Sequence, residues 1–406
     1  MFEAIQEIQV SLTSNPSMRL HDYQVRCIDD IIGRPSVALW LEVGLGKSAI
    51  ALNVLEREHS AGRIFSTLVV APKKVAEETW PEERKIWTPG LTMTLITGSP
   101  KERMRKLMEP TQVHVISRDN LVWLIETLEK KWPYDSLAID ESQGFKDPGS
   151  KRFRALKRVV RHHDLTLLMS ATPASENLMG LWPQVYIADQ GARLGKSFTA
   201  YRQAFFESDY MGWKWQLRSS AEGQIHDRLS DLVIAMKAED YLTLPDKIEI
   251  DEVVGLDERE TSEYRRLERD YLLAEHEIVA ANAAVLTGKL QQLASGAVYR
   301  DDGWVGIHDR KVERLLEIVE EANGSPVLVF YWFKHEKERI LRAVKGAEDL
   351  DVAMWNRRAQ KVALAHPQSA GAGFYLQKGG NLIVWMSVPW SLELYTQAIG
   401  RLHRQG

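Results

Sequence analysis

The stretch that decides the fold is Glu42-Val43-Gly44-Leu45-Gly46-Lys47-Ser48, which follows the apolar residues 36–41 and precedes a helical pattern. Glycines let the backbone bend so that successive N–H groups face an anion, and the start of the following helix adds positive potential. Lys47 would reach the β- and γ-phosphates of a nucleotide, and the Ser48 hydroxyl would ligate Mg²⁺. Leu41 stands where the full phosphate-loop pattern has its first glycine. The stretch therefore predicts a nucleotide-binding loop between a strand and a helix.

Short apolar runs alternate with helical stretches around this loop, through the first half of the chain. Such alternation is typical of a parallel sheet that helices cover on both faces. The predicted strands span residues 36–41, 66–71, 91–97, 113–117, 136–140 and 165–170. Ligands of such sheets bind at the carboxyl ends of the strands, so polar residues at those ends are candidate site residues.

Two carboxylates end one of these predicted strands, in the sequence Ala138-Ile139-Asp140-Glu141. In nucleotide hydrolases one carboxylate holds Mg²⁺ and the next orients the attacking water. We therefore assign Asp140 to the metal and Glu141 to the water. Such a pair also occurs as a turn or a helix cap, but the phosphate loop upstream favours the hydrolytic role.

The second half of the chain has a different organisation. Residues 188–247 are polar and aromatic with several glycines, which predicts an inserted subdomain with little sheet, and residues 257–293 are charged and helical. Strand patterns return at residues 326–332, 362–366 and 381–387, which predict a second, smaller α/β unit. We expect domains at residues 1–187, 188–300 and 301–406.

Composition restricts the class of protein. Hydrophobic residues make up 44% and charged residues 27% of the chain, as in ordinary soluble proteins, and no apolar stretch has the length of a membrane span. Cys27 is the only cysteine, which excludes an internal disulfide and fits a reducing cytoplasm. The net charge of -4 argues against a basic protein that coats nucleic acid, but allows a local basic track.

Further motifs follow one another along nearly the whole chain. In order they are Leu20-His21-Asp22-Tyr23-Gln24, the phosphate loop, Ala71-Pro72-Lys73 with Trp80, Glu83 and Trp87, Asp140-Glu141-Ser142-Gln143, Ser170-Ala171-Thr172-Pro173, Ser369-Ala370-Gly371-Ala372-Gly373 and Gln397-Ala398-Ile399-Gly400-Arg401-Leu402-His403-Arg404. Together they resemble the Swi/Snf-type DNA-dependent ATPases of helicase superfamily two, especially their compact phage-encoded relatives. The resemblance implies an α/β fold with two RecA-like, doubly wound parallel-sheet lobes and a mainly helical insertion between them.

The resemblance also implies ATP and Mg²⁺ as ligands in the cleft between the lobes. It implies that Gln24 bonds the adenine edge and that the residues from Glu42 to Ser48, together with Gly373, bind the nucleotide. Ser48 and Asp140 would hold the metal.

The catalytic set implied by the resemblance is Lys47, Asp140, Glu141, Gln143, Arg401 and Arg404. Arg401 and Arg404 are three residues apart on a predicted helix, so both side chains can point the same way. By resemblance they reach the γ-phosphate from the second lobe, where positive charge assists phosphoryl transfer.

Two features depart from the family pattern. Gln143 replaces a histidine; either side chain can hydrogen-bond across the lobe interface, so we expect activity with altered coupling. The sequence stops at Gly406, before the last strand and helix of family members, so the second lobe is expected to be incomplete, either naturally or by truncation. A missing edge strand would expose the sheet edge.

Nucleic-acid contacts are predicted where strands end, because related motors grip the tracked strand there. The candidates are Lys73, Ser117, Arg118, Trp332 and Lys334. Such contacts reach phosphate and sugar, so we expect little sequence preference. Residues 151–161 also predict a helix with a basic face, which would contact either phosphates or solvent. Among the tryptophans, Trp213 and Trp215 are the candidates for base stacking.

The favoured function is that of an ATP-driven translocase on duplex or branched DNA. We expect a monomer in the cytoplasm of a bacterium or of a phage-infected host, without a membrane partner. A strand-separating helicase on DNA or RNA is one alternative. An ATP-controlled nucleic-acid clamp with poor turnover is the other.

Overall fold

The computed structural model describes residues 19–129, 131–174, 177–210, 215–242, 247–274, 282–300, 303–370 and 375–403. The strands in these ranges are β1 Ser36–Leu41, β2 Thr67–Ala71, β3 Met93–Ile96, β4 Val113–Ser117, β5 Ser136–Asp140, β6 Leu165–Ser170, β7 Phe206–Ser208, β8 Trp215–Leu217, β9 Val233–Met236, β10 Ala297–Arg300, β11 Gly303–Gly306, β12 Val327–Phe330, β13 Ala347–Asp349, β14 Val362–Ala365 and β15 Leu382–Trp385. The helices are α1 Asp22–Ile31, α2 Lys47–Ser60, α3 Trp80–Trp87, α4 Pro100–Leu107, α5 Leu121–Leu128, α6 Lys151–Leu156, α7 Leu181–Asp189, α8 Phe198–Phe205, α9 Ala221–Leu229, α10 Glu258–Ala274, α11 Asn282–Ala294, α12 Arg310–Glu321, α13 Lys334–Ala343, α14 Val352–Asn356, α15 Pro367–Ala370 and α16 Leu392–Ile399. None of the helices in the described ranges is both long enough and apolar enough to cross a membrane.

The first lobe is built on a sheet with the strand order β3-β4-β2-β5-β6-β1-β9. Every neighbouring pair in this sheet is parallel. Alternate residues of β2 enter different cores: Leu68 and Val70 pack with α5 and α7, whereas Val69 and Ala71 pack with α1 and α2. Strands buried on both faces explain the continuous apolar runs in the sequence. The doubly wound α/β fold of the first lobe is therefore confirmed.

The edge strand β9 differs from the sequence prediction. It pairs in parallel with β1, with Ala38 opposite Val233 and Leu41 opposite Met236. The predicted boundary at residue 187 therefore needs correction, because the chain returns to the first sheet at Val233, within the segment that was predicted to be an insertion with little sheet. A strand of four residues with no fully buried side chain gives only a weak pattern in the sequence.

The inserted segment between α7 and β9 packs against the first lobe. It contains α8, α9 and the antiparallel pair β7-β8, and its Tyr201, Phe205 and Ile225 belong to the core beneath the first sheet. Trp215, one of the two tryptophans considered for base stacking, carries the guanidinium of Arg202 at 4.2 Å from its ring centroid. The other, Trp213, lies outside the described residues.

The second lobe has a parallel sheet in the order β13-β14-β12-β15. Its three predicted strands are confirmed, and β13 is a further strand of three residues that the sequence did not predict. Helices α10 and α11 lie in the stretch that was predicted to be helical, and the antiparallel pair β10-β11 follows them. The two parallel sheets bring their strand ends, and the motifs on them, to one interface.

Candidate active site and nucleic-acid track

The predicted phosphate loop joins the carboxyl end of β1 to the start of α2. Gly44 and Gly46 have φ angles of 98° and 75°, in the left-handed region that favours glycine. Gly46 is the N-cap of α2, and no side chain caps that helix, so N–H groups of the first turn can face an anion. Lys47 Nζ donates to the carbonyl oxygen of Leu41 at 2.8 Å. The loop therefore has the shape and charge that phosphate binding requires.

Gln24 lies buried against this loop. Its Nε2 donates to the carbonyl oxygen of Leu45 at 3.2 Å, and its Oε1 accepts from the backbone N–H of His21 at 2.9 Å. The Tyr23 hydroxyl donates to the same Leu45 oxygen at 3.2 Å. A methyl group on Gly46 would lie 2.2 Å from Gln24 Nε2, so the Gln24 amide lies directly against this glycine. The structure thus brings together the residues predicted to contact adenine and phosphate.

Glu42 connects the phosphate loop to the end of β9. Its backbone N–H donates to the Met236 carbonyl oxygen at 3.1 Å. Its carboxylate Oε2 accepts from the backbone N–H of Ala238 at 2.8 Å. Glu42 is exposed, but these two hydrogen bonds tie the phosphate loop to the segment after β9.

The two predicted catalytic carboxylates lie where β5 ends. Asp140 is buried; its Oδ2 accepts from Trp80 Nε1 and its Oδ1 from the Glu141 backbone N–H, both at 3.0 Å. Burial and the neighbouring Glu141 carboxylate raise the pKa of Asp140 above its usual value, although Trp80 and Lys47 act in the opposite direction. Glu141 has a φ of 53°, which is uncommon for a residue other than glycine and marks a sharp turn.

These residues fit ATP and Mg²⁺, the ligands predicted from the sequence. The Ser48 hydroxyl and the Asp140 carboxylate supply oxygen donors, which Mg²⁺ prefers. A divalent cation would also relieve the repulsion that raises the pKa of Asp140. Within the described ranges no group of three or more His, Cys, Asp or Glu side chains forms a protein-only metal site. Few protein ligands suit Mg²⁺, which is usually shared with substrate phosphates.

Gln143 makes three side-chain hydrogen bonds. Its Nε2 donates to Glu141 Oε2 at 2.7 Å and to Glu393 Oε1, in the second lobe, at 2.9 Å. Its Oε1 accepts from the Ser170 hydroxyl at 2.8 Å. The prediction that residue 143 hydrogen-bonds across the lobe interface is therefore confirmed.

The second lobe also reaches the phosphate loop. A methyl group on Gly400 would lie 2.6 Å from Val43 Cγ1, so Gly400 packs closely against the Val43 side chain. Arg401, the next residue, is buried, and its carbonyl oxygen accepts from the Leu376 N–H at 3.1 Å. Arg401 thus directly follows the residue that lies against the phosphate loop. Two other predicted residues, Arg404 and Gly373, lie outside the described residues.

At the lobe interface, in the part of the chain that the structure describes, Glu393 and Tyr375 make contacts that were not predicted from the sequence. Glu393 lies on α16, where Gln397 Nε2, one turn later, donates to its Oε1 at 3.3 Å. Tyr375 donates its hydroxyl to Glu83 Oε1 in the first lobe, and Trp87 Nε1 donates to the other oxygen of Glu83 at 3.0 Å. In the sequence, the four-residue spacing of Glu393 and Gln397 could have indicated their contact along one helix face, but not the contact of Glu393 with Gln143.

The nucleic-acid candidates of the first lobe have different environments. Lys73 follows β2 and is exposed, whereas Ser117 is buried and its hydroxyl accepts from Asn120 Nδ2 at 3.1 Å. Arg118 lies against the turn after Glu141, because a methyl group on Gly144 would be 2.7 Å from an Arg118 guanidinium nitrogen. Lys73 is thus the candidate in this lobe that is most accessible to a phosphate.

In the second lobe, Trp332 and Lys334 follow β12. The Trp332 ring stacks on His366, with 5.1 Å between centroids, and Lys334 is exposed at the start of α13. The buried Glu336 carboxylate accepts from the Trp332 N–H at 2.8 Å and from the Ser387 hydroxyl at 2.6 Å. It thereby joins the loops after β12 and β15.

The predicted basic helix at residues 151–161 is shorter in the structure. α6 ends at Leu156, so Arg158 and Arg161 lie beyond it and share no continuous helical face with Lys151. Arg152 on α6 pairs with Asp119 at 3.1 Å. A single basic stripe along this segment is therefore not present.

Comparison with known proteins agrees with this geometry. Residues 34–296 match the SNF2-related domain. The chain is 35% identical to the p41 protein of Acyrthosiphon pisum secondary endosymbiont phage 1, over 94% of this chain and 87% of that protein. It is 24% identical to an uncharacterized ATP-dependent helicase of Mycoplasma genitalium, over 98% of this chain but only 40% of the helicase.

Among solved structures, the SWI2/SNF2 ATPase core of Sulfolobus solfataricus in complex with dsDNA aligns with a TM-score of 0.51 and 17% identity. The alignment covers 91% of this chain and 87% of the archaeal core. This likeness concerns the fold, and it confirms the arrangement of two α/β lobes.

Proposed function

We propose that this chain is an ATP-driven translocase on duplex or branched DNA, because it belongs to the SNF2-related family and is a nucleic-acid-dependent ATPase. The observation that carries the proposal is the contact of the second lobe with the nucleotide site. Gly400 approaches Val43 in the phosphate loop, and Glu393 bonds Gln143 beside Glu141. A site assembled from two lobes makes hydrolysis depend on lobe closure, as motors require.

Each site residue has a proposed role in this reaction. Gln24 contacts adenine, and Lys47 with the N–H groups of the loop holds the β- and γ-phosphates. Glu141 orients the attacking water, and Arg401 brings positive charge to the γ-phosphate. Mg²⁺, held by Ser48 and Asp140, would neutralise charge on the phosphates.

Lys73 and Lys334 support DNA as the polymer that is tracked. Both are exposed and follow parallel strands, one in each lobe. Contacts from the two lobes to one DNA strand would change their spacing when the lobes open and close. The archaeal core bound dsDNA, which favours duplex for this chain as well.

We also propose that the chain works as a monomer in a bacterial host cytoplasm. Both halves of the ATP site come from the same chain, so catalysis needs no second copy. The phage relative at 35% identity supports action inside an infected bacterium.

The test is steady-state ATP hydrolysis without nucleic acid and with duplex DNA, single-stranded DNA or RNA. Duplex DNA should raise turnover at least about tenfold, and Lys47→Ala should abolish it. Arg57→Ala is the control, because Arg57 pairs with Asp29 on the surface and lies at the far end of α2.

Other outcomes would overturn the proposal. Stimulation by single strands or RNA but not by duplex would indicate a strand-separating helicase. ATP-dependent DNA affinity without multiple turnover would indicate a nucleic-acid clamp.

A further inference from the structure

We infer that Glu393 is a positioning residue of the ATP site, which holds the Gln143 amide so that Glu141 is correctly oriented when the lobes are closed. This inference rests on the proposed function. It assigns a role to Glu393, a residue of the second lobe that lies outside the sequence motifs.

The orientation of the Gln143 amide follows from its neighbours. Its Nε2 lies 2.7 Å from a Glu141 oxygen and 2.9 Å from a Glu393 oxygen, and its Oε1 lies 2.8 Å from the Ser170 hydroxyl. The opposite orientation would set the amide oxygen against two carboxylates. Gln143 therefore gives one N–H to each carboxylate, and Glu393 removes the freedom of the amide to turn.

The same contacts explain why residue 143 is a glutamine. The site needs two donors for the carboxylates and one acceptor for Ser170. A glutamine amide has two N–H bonds and one carbonyl oxygen, whereas a neutral histidine has one donor and one acceptor. A neutral histidine at this position would leave either Glu141 or Glu393 without its hydrogen bond, and a protonated histidine would offer no acceptor to the Ser170 hydroxyl, so Gln143 and Glu393 form a matched pair.

Glu393 is itself held by the second lobe. It lies in the first turn of α16, which Ser391 caps by accepting from the Leu394 N–H at 3.3 Å. Gln397, one turn further, donates to the Glu393 oxygen that faces Gln143. Movement of the second lobe therefore moves this carboxylate away from Gln143, while the bonds to Glu141 and Ser170 stay within the first lobe. The Gln143–Glu393 hydrogen bond thus couples lobe closure to the orientation of the Glu141 carboxylate.

Substitution of a residue that only joins the lobes would leave kcat nearly unchanged. Tyr375 is such a residue and provides the matched control. Its hydroxyl also makes a side-chain hydrogen bond across the interface, to Glu83, which is bonded to Trp87 and not to Gln143. Tyr375→Phe removes one interlobe bond but leaves Glu141 and Gln143 untouched.

The experiment compares Glu393→Ala, Glu393→Gln and Tyr375→Phe with the wild-type chain. Readouts are DNA-stimulated kcat, KM for ATP, DNA Kd with a non-hydrolysable ATP analogue, and Tm. Glu393→Ala should lower kcat about tenfold and change KM and DNA Kd less than about twofold. Glu393→Gln keeps an acceptor oxygen and should retain at least about half of kcat, as should Tyr375→Phe. Equal losses in all three variants, or a kcat loss that follows Tm, would overturn the positioning role.

A second arm tests the matched pair. Gln143→His should lower kcat about as much as Glu393→Ala, and the double variant should be no worse than either single one, since both remove the same interaction. Multiplying losses would contradict the inference. Absence of DNA-stimulated turnover in the wild type would instead count against the proposed function, so the two failures are distinguishable.

Discussion

Gly400 in the second lobe lies directly against Val43 in the phosphate loop, and the contact leaves no space for a methyl group. A Cβ at residue 400 would be 2.6 Å from Val43 Cγ1 and 2.9 Å from Val43 Cβ. Because residue 400 has no side chain, the second lobe can approach the phosphate loop this closely.

Gly400→Ala should hold the lobes apart and lower DNA-stimulated kcat by about tenfold or more, because misplacement by about 1 Å is costly in a site completed by closure. Adding Val43→Ala removes Cγ1 and should restore part of the rate. Gly223→Ala on α9 is the control, since a methyl there has no neighbour within 4 Å. If Gly400→Ala has wild-type kcat, the close approach does not limit catalysis.

Trp80→Phe should change the pH profile of hydrolysis. A hydrogen bond to a carboxylate lowers its pKa, so loss of the Trp80 donor raises the pKa of Asp140 further. The acid limb of kcat/KM should then move to higher pH, by about one unit, and more Mg²⁺ should be needed for half-maximal rate. Trp87→Phe, which removes a similar bond to Glu83, is the control. Superimposable profiles for the three proteins would contradict this role of Trp80.

Lys73→Ala and Lys334→Ala should each weaken DNA binding without changing sequence preference. Each lysine that neutralises one phosphate contributes about 0.9 to the slope of log Kd against log salt. Fluorescence anisotropy at several salt concentrations should show a slope reduced by that amount for each variant, and an unchanged slope for Arg57→Ala. A wild-type slope in both lysine variants would show that neither lysine contacts a DNA phosphate.

His335 should make the second lobe sensitive to acid. It is fully buried beside Ser295, and burial, with Arg339 nearby, lowers its pKa from 6.5 to about 4. Between these values the unfolded chain binds the extra proton, so stability falls as pH drops from 6.5 to 4, by up to about 1.4 kcal/mol per pH unit. Thermal unfolding of His335→Phe should depend less on pH. His226→Gln, on the exposed face of α9, should behave like the wild type.

The central strands and the nucleotide motifs could be predicted because each signal is local. β1, β4, β5 and β6 have the bounds predicted from continuous apolar runs, and the phosphate loop has a composition that few other structures require. β9 and β13 could not be found in this way, because they are short and their positions depend on pairing with distant strands.

The contacts between the lobes also could not be predicted from local sequence patterns. Gln143 was expected to bond across the lobes, but nothing in the sequence identified Glu393 as its partner 250 positions away. The Trp80 bond to Asp140 joins two motifs that were each recognised, while their proximity depends on tertiary packing between residues 60 positions apart. Arg118 was predicted to contact nucleic acid, but the structure adds its position against Gly144.

The position of β9 has a consequence for the order of events during synthesis. β1, the strand that leads into the phosphate loop, lies between β6 and β9, and the Glu42 carboxylate binds a backbone N–H that is 196 residues later. At ribosomal rates of about 5 to 20 residues per second, β1 waits about 10 to 40 seconds for this neighbour. During that time one edge of the nascent ATP-binding lobe can pair with other chains, a hazard that a chaperone or the inserted segment itself would have to cover.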